Sequence, residues 1–311
     1  MSIKQFERRI RHALKACLSP TNRRHKKTEK DTLQLFREPK SIKIYNRLLK
    51  IRKAGGTPLQ HVEGLASLRE VCRLRLCSQV CQQHETAEAL SVLADEHQYF
   101  PESLFQLAPG DVFLDAGGYT GDTALSILKH TQGKFKEIHT FEPDPQNYAQ
   151  LCANIAVLPP AQRDRIRCYP LALGLEAREA SFASVGSASG SIYQDDGFNA
   201  IKVVNIHEVV PQETLDSITF IKMDIEGAEM ELLKSLETEI RRHRPILAVC
   251  LYHGQEDLFT IPAYIHSLVP HYNLVIRHHS TCRCETVLYA IPPQRALPQR
   301  EIQGAPRGIQ S

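Results

Sequence analysis

No stretch of this chain stays apolar for long. The longest uninterrupted run, Ile246 to Tyr252, falls far short of the ~20 residues a membrane-spanning helix needs. No secretory-type apolar segment precedes the cysteines, whose odd count of nine is scattered along the chain. These absences argue against a disulfide framework and for a reducing, cytoplasmic setting. The Gly-x-Gly-x-x-Gly fingerprint of dinucleotide-binding folds is missing as well. Cys72, Cys77 and Cys81 match no zinc or iron–sulfur spacing and read as small core residues, so no metal is expected. The basic residues come without an aromatic platform or a known motif, so nucleic acid is not expected as a partner.

What is present is ordinary for a globular protein: 42% hydrophobic and 23% charged residues in 311, enough for one large domain and an appendage. The charge is uneven. Residues 1–60 hold 17 Lys/Arg against 4 Asp/Glu, a net +13, and the remainder holds 21 against 31, a net −10. Ile3, Phe6, Ile10, Leu14 and Leu18 fall on one helical face among Arg8, Arg9, Arg11 and Lys15. A basic amphipathic helix of this kind lies on an anionic membrane, meets an acidic partner, serves as an organellar leader or packs on its own domain. Peripheral membrane contact through residues 3–18 therefore stays open. Residues 19–41 read as a polar connector between Pro20 and Pro39, followed by a short helix over Ile42 to Lys50. Residues 63–97 carry Leu65, Leu68, Val71, Leu74, Leu90 and Leu93 at helical spacing. The division expected is 1–60, 61–97, a main domain over 98–292, and a disordered tail over 293–311 rich in Pro, Gly, Gln and Arg.

The main domain is organised around Asp111 to Thr123. Val112, Phe113 and Leu114 form a short apolar run, Asp115 follows, and Gly117, Gly118 and Gly121 lead into an amphipathic segment. That order reads as buried strand, tight turn and helix start, with the helix's free N–H groups facing a nucleotide-type crevice. Asp115 and Asp122 bracket the turn. Two carboxylates there suit a cationic ligand better than a pyrophosphate. Glu137 to Phe141 reads as the next strand, and Glu142, 21 residues beyond Gly121, is placed at its tip to accept hydrogen bonds from a ribose.

Downstream, strands alternate with helices, the signature of a parallel α/β sheet. Helices are expected over Pro145 to Leu158, Met230 to Arg242 and 255–271, and strands over Ile166 to Leu173, Phe220 to Met223 and Ile246 to Tyr252. Glu179 to Ala200 is rich in small residues and reads as a loop able to close over a ligand, or as a hairpin connector. Asp224 and Glu226 follow one strand and His253 another, so all three should reach the same crevice at the strands' C-terminal ends. Such clustering of acids is costly without compensation and points to function. Asn273 to His278 and Glu285 to Ile291 read as a closing hairpin whose tip holds His278, His279, Cys282 and Cys284.

These residues resemble the FkbM family of S-adenosylmethionine-dependent methyltransferases over about Gln98 to Pro292. The likeness rests on Phe113-Leu-Asp-Ala-Gly-Gly-Tyr-Thr-Gly-Asp-Thr123, Phe141-Glu-Pro-Asp-Pro-Gln-Asn147, Asn154, Ala172-Leu-Gly174 and Ile221-Lys-Met-Asp-Ile-Glu-Gly-Ala-Glu229. It implies a Rossmann-like class I methyltransferase sheet of order 3-2-1-4-5-7-6 with strand 7 antiparallel. It further implies that Asp115, Gly117 and Gly121 line the methionine end of S-adenosylmethionine, with Asp122 beside them, that Glu142 holds the ribose and that Ala172 borders the adenine. Gly118-Tyr119-Thr120 departs from the small residue and Asn that many members carry. The expected reaction is O-methylation of a small-molecule, sugar or lipid hydroxyl by in-line displacement, with His253 as general base and Asp224 and Glu226 orienting the reactants. A nicotinamide-dependent oxidoreductase and a non-catalytic scaffold using the same fold are the alternatives. Oligomeric state is not legible.

Overall fold

Residues 112 to 116 are buried on both faces, which requires layers of structure above and below the strand they form. The computed structural model describes residues 23–53, 98–183, 191–193, 199–254, 256–279 and 285–298. The expected basic helix over 3–18 and the stretch with Cys72, Cys77 and Cys81 lie outside the described residues, as do Cys282 and Cys284.

The main sheet contains β1 (Val112–Ala116), β2 (Glu137–Phe141), β3 (Ile166–Tyr169), β8 (Phe220–Met223), β9 (Ile246–Cys250), β10 (Asn273–His278) and β11 (Thr286–Ile291). Its order is β10-β11-β9-β8-β1-β2-β3. Four neighbour pairs are parallel, while β11 runs antiparallel to both β9 and β10. This is the order 3-2-1-4-5-7-6 with its last strand reversed. Side chains alternate between two cores: Val112, Leu114 and Ala116 enter one, Phe113 the other. The chain reverses direction across the sheet between β1 and β8, so a crevice opens at their C-terminal ends.

Two local expectations change and one left open is decided. The strand foreseen over Ile166 to Leu173 is interrupted at Pro170, which has no N–H to give the ladder. Ala172–Leu173 instead forms β4 of a second sheet, with β5 (Arg178–Ala183), β6 (Ser191–Tyr193) and β7 (Asn199–Val204), in the order β4-β7-β5-β6. Within the small-residue insert β5 pairs antiparallel with β6 and with β7, in keeping with the hairpin of the two readings left open. The helix expected over Met230 to Arg242 is two, Glu229–Ser235 and Glu237–His243, broken at Leu236, whose side chain remains fully buried.

The charge-rich connector also folds. Arg23–Leu33 and Pro39–Lys53 are helices, the second with proline at its first position, where a missing N–H costs nothing. Beneath the charge, Phe36, Ile44, Tyr45, Leu48 and Leu49 join the core of the sheet. Ser41 Oγ accepts from Ile276 N, and Arg277 forms two hydrogen bonds with Glu38 at 2.6 and 2.7 Å. The helices thereby cover edge strand β10. After Pro292, Arg295 grips Asp111 at 2.8 and 3.0 Å and Leu297 N donates to Leu104 O. The stretch expected to be disordered is thus anchored as far as Leu297.

Candidate active site

The turn after β1 is shaped by what its glycines lack. Gly117 has φ +90°, and a Cβ there would sit 2.0 Å from the Asp224 carbonyl oxygen. Only glycine lets the β1 turn and the β8 exit approach so closely. Gly117 N and Gly118 N both donate to Phe141 O, fastening the turn to the end of β2. Gly121, at φ +88°, precedes helix Asp122–Thr131, which has no side-chain cap, and Asp122 is exposed at its first position.

Asp115 is 1% exposed. Thr140 Oγ1 donates to it at 2.8 Å, and Lys222 Nζ lies 3.2 Å from its other oxygen. Lys222 also donates to Ala116 O and Gly117 O. Burial alone would lower the lysine's pKa, but the Asp115 and Asp224 carboxylates outweigh it and hold it above its ordinary value. An ammonium thus sits under the glycine turn, and Asp115 acts on that turn through it.

Glu142, at the tip of β2, accepts from Tyr119 N at 2.8 Å and Asp144 N at 2.9 Å, with the Asn147 side chain as a further donor. Burial nevertheless pushes its pKa up to about 7. A carboxylate offers about four acceptor sites, so one remains for a ligand hydroxyl. Tyr119, which supplies one of these amides, has φ +46°, an uncommon conformation for a side-chain-bearing residue. Ala172 lies three residues past β3, packed with Ile201 and Val203 of the second sheet.

At the exits of β8 and β9 the acids gather around one imidazole. Asp224 accepts from Tyr99 Oη and Tyr252 Oη, each at 2.8 Å. Glu226 at φ +57° and Gly227 at φ +105° make a left-handed turn. Glu229 closes that turn by accepting from Ile225 N at 2.9 Å and Gly227 N at 3.0 Å. The His253 ring lies between them: Nδ1 is 2.7 Å from Glu229, and Nε2 is 3.3 Å from Asp224 and 3.6 Å from Glu226. Burial works to lower the imidazole's pKa, yet Glu229, Glu226 and Asp224 raise it well above the usual value.

Asp224, Glu226 and His253 thus come together, while Asp115, bonded to Thr140 and Lys222, and Glu142, bonded to Tyr119 N and Asp144 N, belong to separate networks. Lys222, Tyr99 and Tyr252 were not singled out from sequence, and Glu229 entered only as the last acid of the stretch after Met223. Lys222 could have been, because a lysine inside the buried run Phe220-Ile221-Lys222-Met223 requires a partner.

The fold and crevice define a Rossmann-like sheet of the methyltransferase type. The Methyltransferase FkbM domain matches residues 115–278, more than half the chain, and the protein belongs to that family. Among solved structures, a methyltransferase FkbM from Methylobacillus flagellatus KT has 23% identity and a TM-score of 0.64, over 86% of this chain and 59% of that one. The present chain therefore spans under two thirds of that protein's length. An rRNA methylase from Streptococcus thermophilus aligns at 11% identity and a TM-score of 0.36, over 68% of this chain and 96% of that one. A Streptococcus mutans protein in complex with SAH aligns at 10% and 0.36, over 65% and 95%. These two likenesses are too slight to carry an argument. No curated protein matches the chain. Among the described residues, no helix is long and apolar enough to cross a membrane.

Proposed function

We propose that this protein transfers the methyl group of S-adenosylmethionine to a hydroxyl of a small molecule, sugar or lipid. The observation that carries the reading is Glu142: a buried carboxylate beside a glycine turn, with an acceptor site to spare. The residues fit the cofactor. Gly117 lets the turn lie against the Asp224 carbonyl, helix Asp122–Thr131 starts uncapped directly after Gly121, and Glu142 accepts a ribose hydroxyl. Ala172 borders the adenine, Asp122 stands near the cationic end, and Asp115 with Lys222 fixes the turn from beneath.

When bound, S-adenosylmethionine supplies a methyl group already activated on a sulfonium. The protein then has to align the acceptor and take its proton. We assign the proton to the His253 cluster rather than to a lone imidazole. Three carboxylates surround one imidazole, so the group is net negative in either state of the ring and can accept a proton. Asp224, fixed by two tyrosine hydroxyls, and Glu226 orient the acceptor at its mouth.

Calorimetry with S-adenosylmethionine and S-adenosylhomocysteine tests the first half; heat with NAD and none with either of these would sink it. Labelled-methyl transfer into an extract of the source cell tests the second and identifies the acceptor. Asp224→Asn and His253→Ala should bind S-adenosylhomocysteine yet lose on the order of 10²–10⁴ in turnover. Unchanged turnover in both would remove the cluster from the mechanism.

A further inference from the structure

The His253 cluster has an unmet need that hydrogen bonding leaves open. Nε2 of this ring is buried and has no hydrogen-bond partner, although the residue is only 3% exposed. The atom faces carboxylate oxygens of Asp224 at 3.3 Å and Glu226 at 3.6 Å. Asp224, Glu229 and His253 each present one ligand-type atom, all within 4.8 Å of one another.

We propose that the Asp224–His253 pair, completed by Glu226 and oriented by Glu229, is a binding site for a divalent first-row transition metal. Nitrogen and oxygen donors bind such ions at about 2.0–2.2 Å, which places adjacent donors roughly 3.0–3.5 Å apart. The Nε2–Oδ1 separation of 3.3 Å lies in that range, and Glu226 at 3.6 Å needs only a small side-chain shift to join. Glu229 takes the Nδ1 hydrogen at 2.7 Å, which fixes the ring's orientation and aims Nε2 at the ion, whose binding displaces any proton held there. A carboxylate behind a metal-bound histidine has this function in many sites. Its own carboxylate is locked by Ile225 N and Gly227 N, so the ring has little freedom to turn away. Mixed imidazole and carboxylate donors favour manganese, iron, cobalt or zinc over magnesium or calcium. At the mouth of the crevice such an ion would acidify an acceptor hydroxyl. That role rests on the methyl-transfer reading; the binding itself does not.

The test uses the full chain, stripped with a chelator and titrated with Co²⁺ and Mn²⁺ alone. Calorimetry should give a single ion per chain, and pulsed electron paramagnetic resonance of the Mn²⁺ form should show nitrogen coupling from a bound imidazole. His253→Gln should abolish both signals, and Glu229→Gln should weaken binding about 10–100-fold. The surface variants His207→Ala and His243→Ala, whose rings pair with Glu239 and Asp216, should leave binding intact. Absence of a stoichiometric ion on the wild-type chain would overturn the proposal. So would undiminished binding by His253→Gln, or nitrogen coupling lost with the two surface variants. Should His253→Gln fail to fold, the wild-type spectrum and Asp224→Asn, checked by circular dichroism, decide the matter. Since S-adenosylhomocysteine affinity is measured separately, failure here leaves the cofactor reading standing, and the reverse also holds.

Discussion

Affinity for the nucleoside should fall as Glu142 takes up a proton. Burial raises this carboxyl from 4.5 to about 7 against the pull of three donors. A hydroxyl donates more strongly to an ionised carboxylate than to a neutral acid. Between the two values the native carboxyl keeps a proton that the unfolded chain has lost. This group's contribution to the ligand-free protein is therefore best at the acid end and declines as pH rises through that window, by roughly 3 kcal/mol at most. Ligand binding runs the opposite way. With a pKa of about 7, the ionised fraction is about one in eleven at pH 6 and about ten in eleven at pH 8. The dissociation constant for S-adenosylhomocysteine should thus be about tenfold weaker at pH 6, a difference of about 1.4 kcal/mol. Calorimetry from pH 5.5 to 8.5 reads this slope, and Glu142→Gln should bind more weakly with no slope. An affinity flat across the range in the wild type, or a slope that survives Glu142→Gln, would refute the assignment.

Other consequences follow from the same contacts. Lys222→Met leaves Asp115 as a buried, uncompensated charge and should cost about 3–5 kcal/mol in urea unfolding, while Lys222→Met with Asp115→Asn recovers much of the loss. Gly117→Ala forces a side chain into left-handed backbone against the Asp224 carbonyl. Strain on the order of 1–3 kcal/mol should appear in thermal melts together with lost S-adenosylhomocysteine binding, and wild-type binding would contradict the close approach. Arg295→Ala strips Asp111 of its guanidinium and should lower stability by about 1–3 kcal/mol. No change in the melt would mean that the segment after Pro292 is not held as described.

Sequence showed what is local and repeated. The glycine turn, β2 ending at Glu142, and the acids after β8 are each contiguous, so periodicity and turn chemistry expose them. The strand order followed from family likeness, not from periodicity. What stayed hidden is non-local. Arg23–Leu33 and Pro39–Lys53 looked like connector because charge masks an apolar face that becomes visible only when β10 is laid beside it. Lys222 looked like part of a strand, and Glu229 like one more acid of the stretch that follows it. Their meaning comes from Asp115, 107 residues upstream of Lys222, and from His253, just past the end of β9. The broken helix at Leu236 and the strands of the small-residue insert likewise depend on partners remote in sequence.

The same non-local contacts join the two halves of the crevice into one physical unit. The Gly117 turn lies against the Asp224 backbone carbonyl, and Lys222 donates to Gly117 O while its charge is held up by Asp115 and Asp224 together. Asp224 in turn faces His253 and carries the hydroxyls of Tyr99 and Tyr252. A change in charge at the His253 cluster therefore acts on the glycine turn through the field of Asp224 on one buried ammonium, where screening by water is small. Two sites joined this way must influence each other reciprocally. Neutralising Asp224 should then shift S-adenosylhomocysteine affinity measurably even though its carboxylate touches no part of the Glu142 network. Asp224→Asn that binds with wild-type affinity at every pH would show instead that Lys222 holds the turn through Asp115 alone.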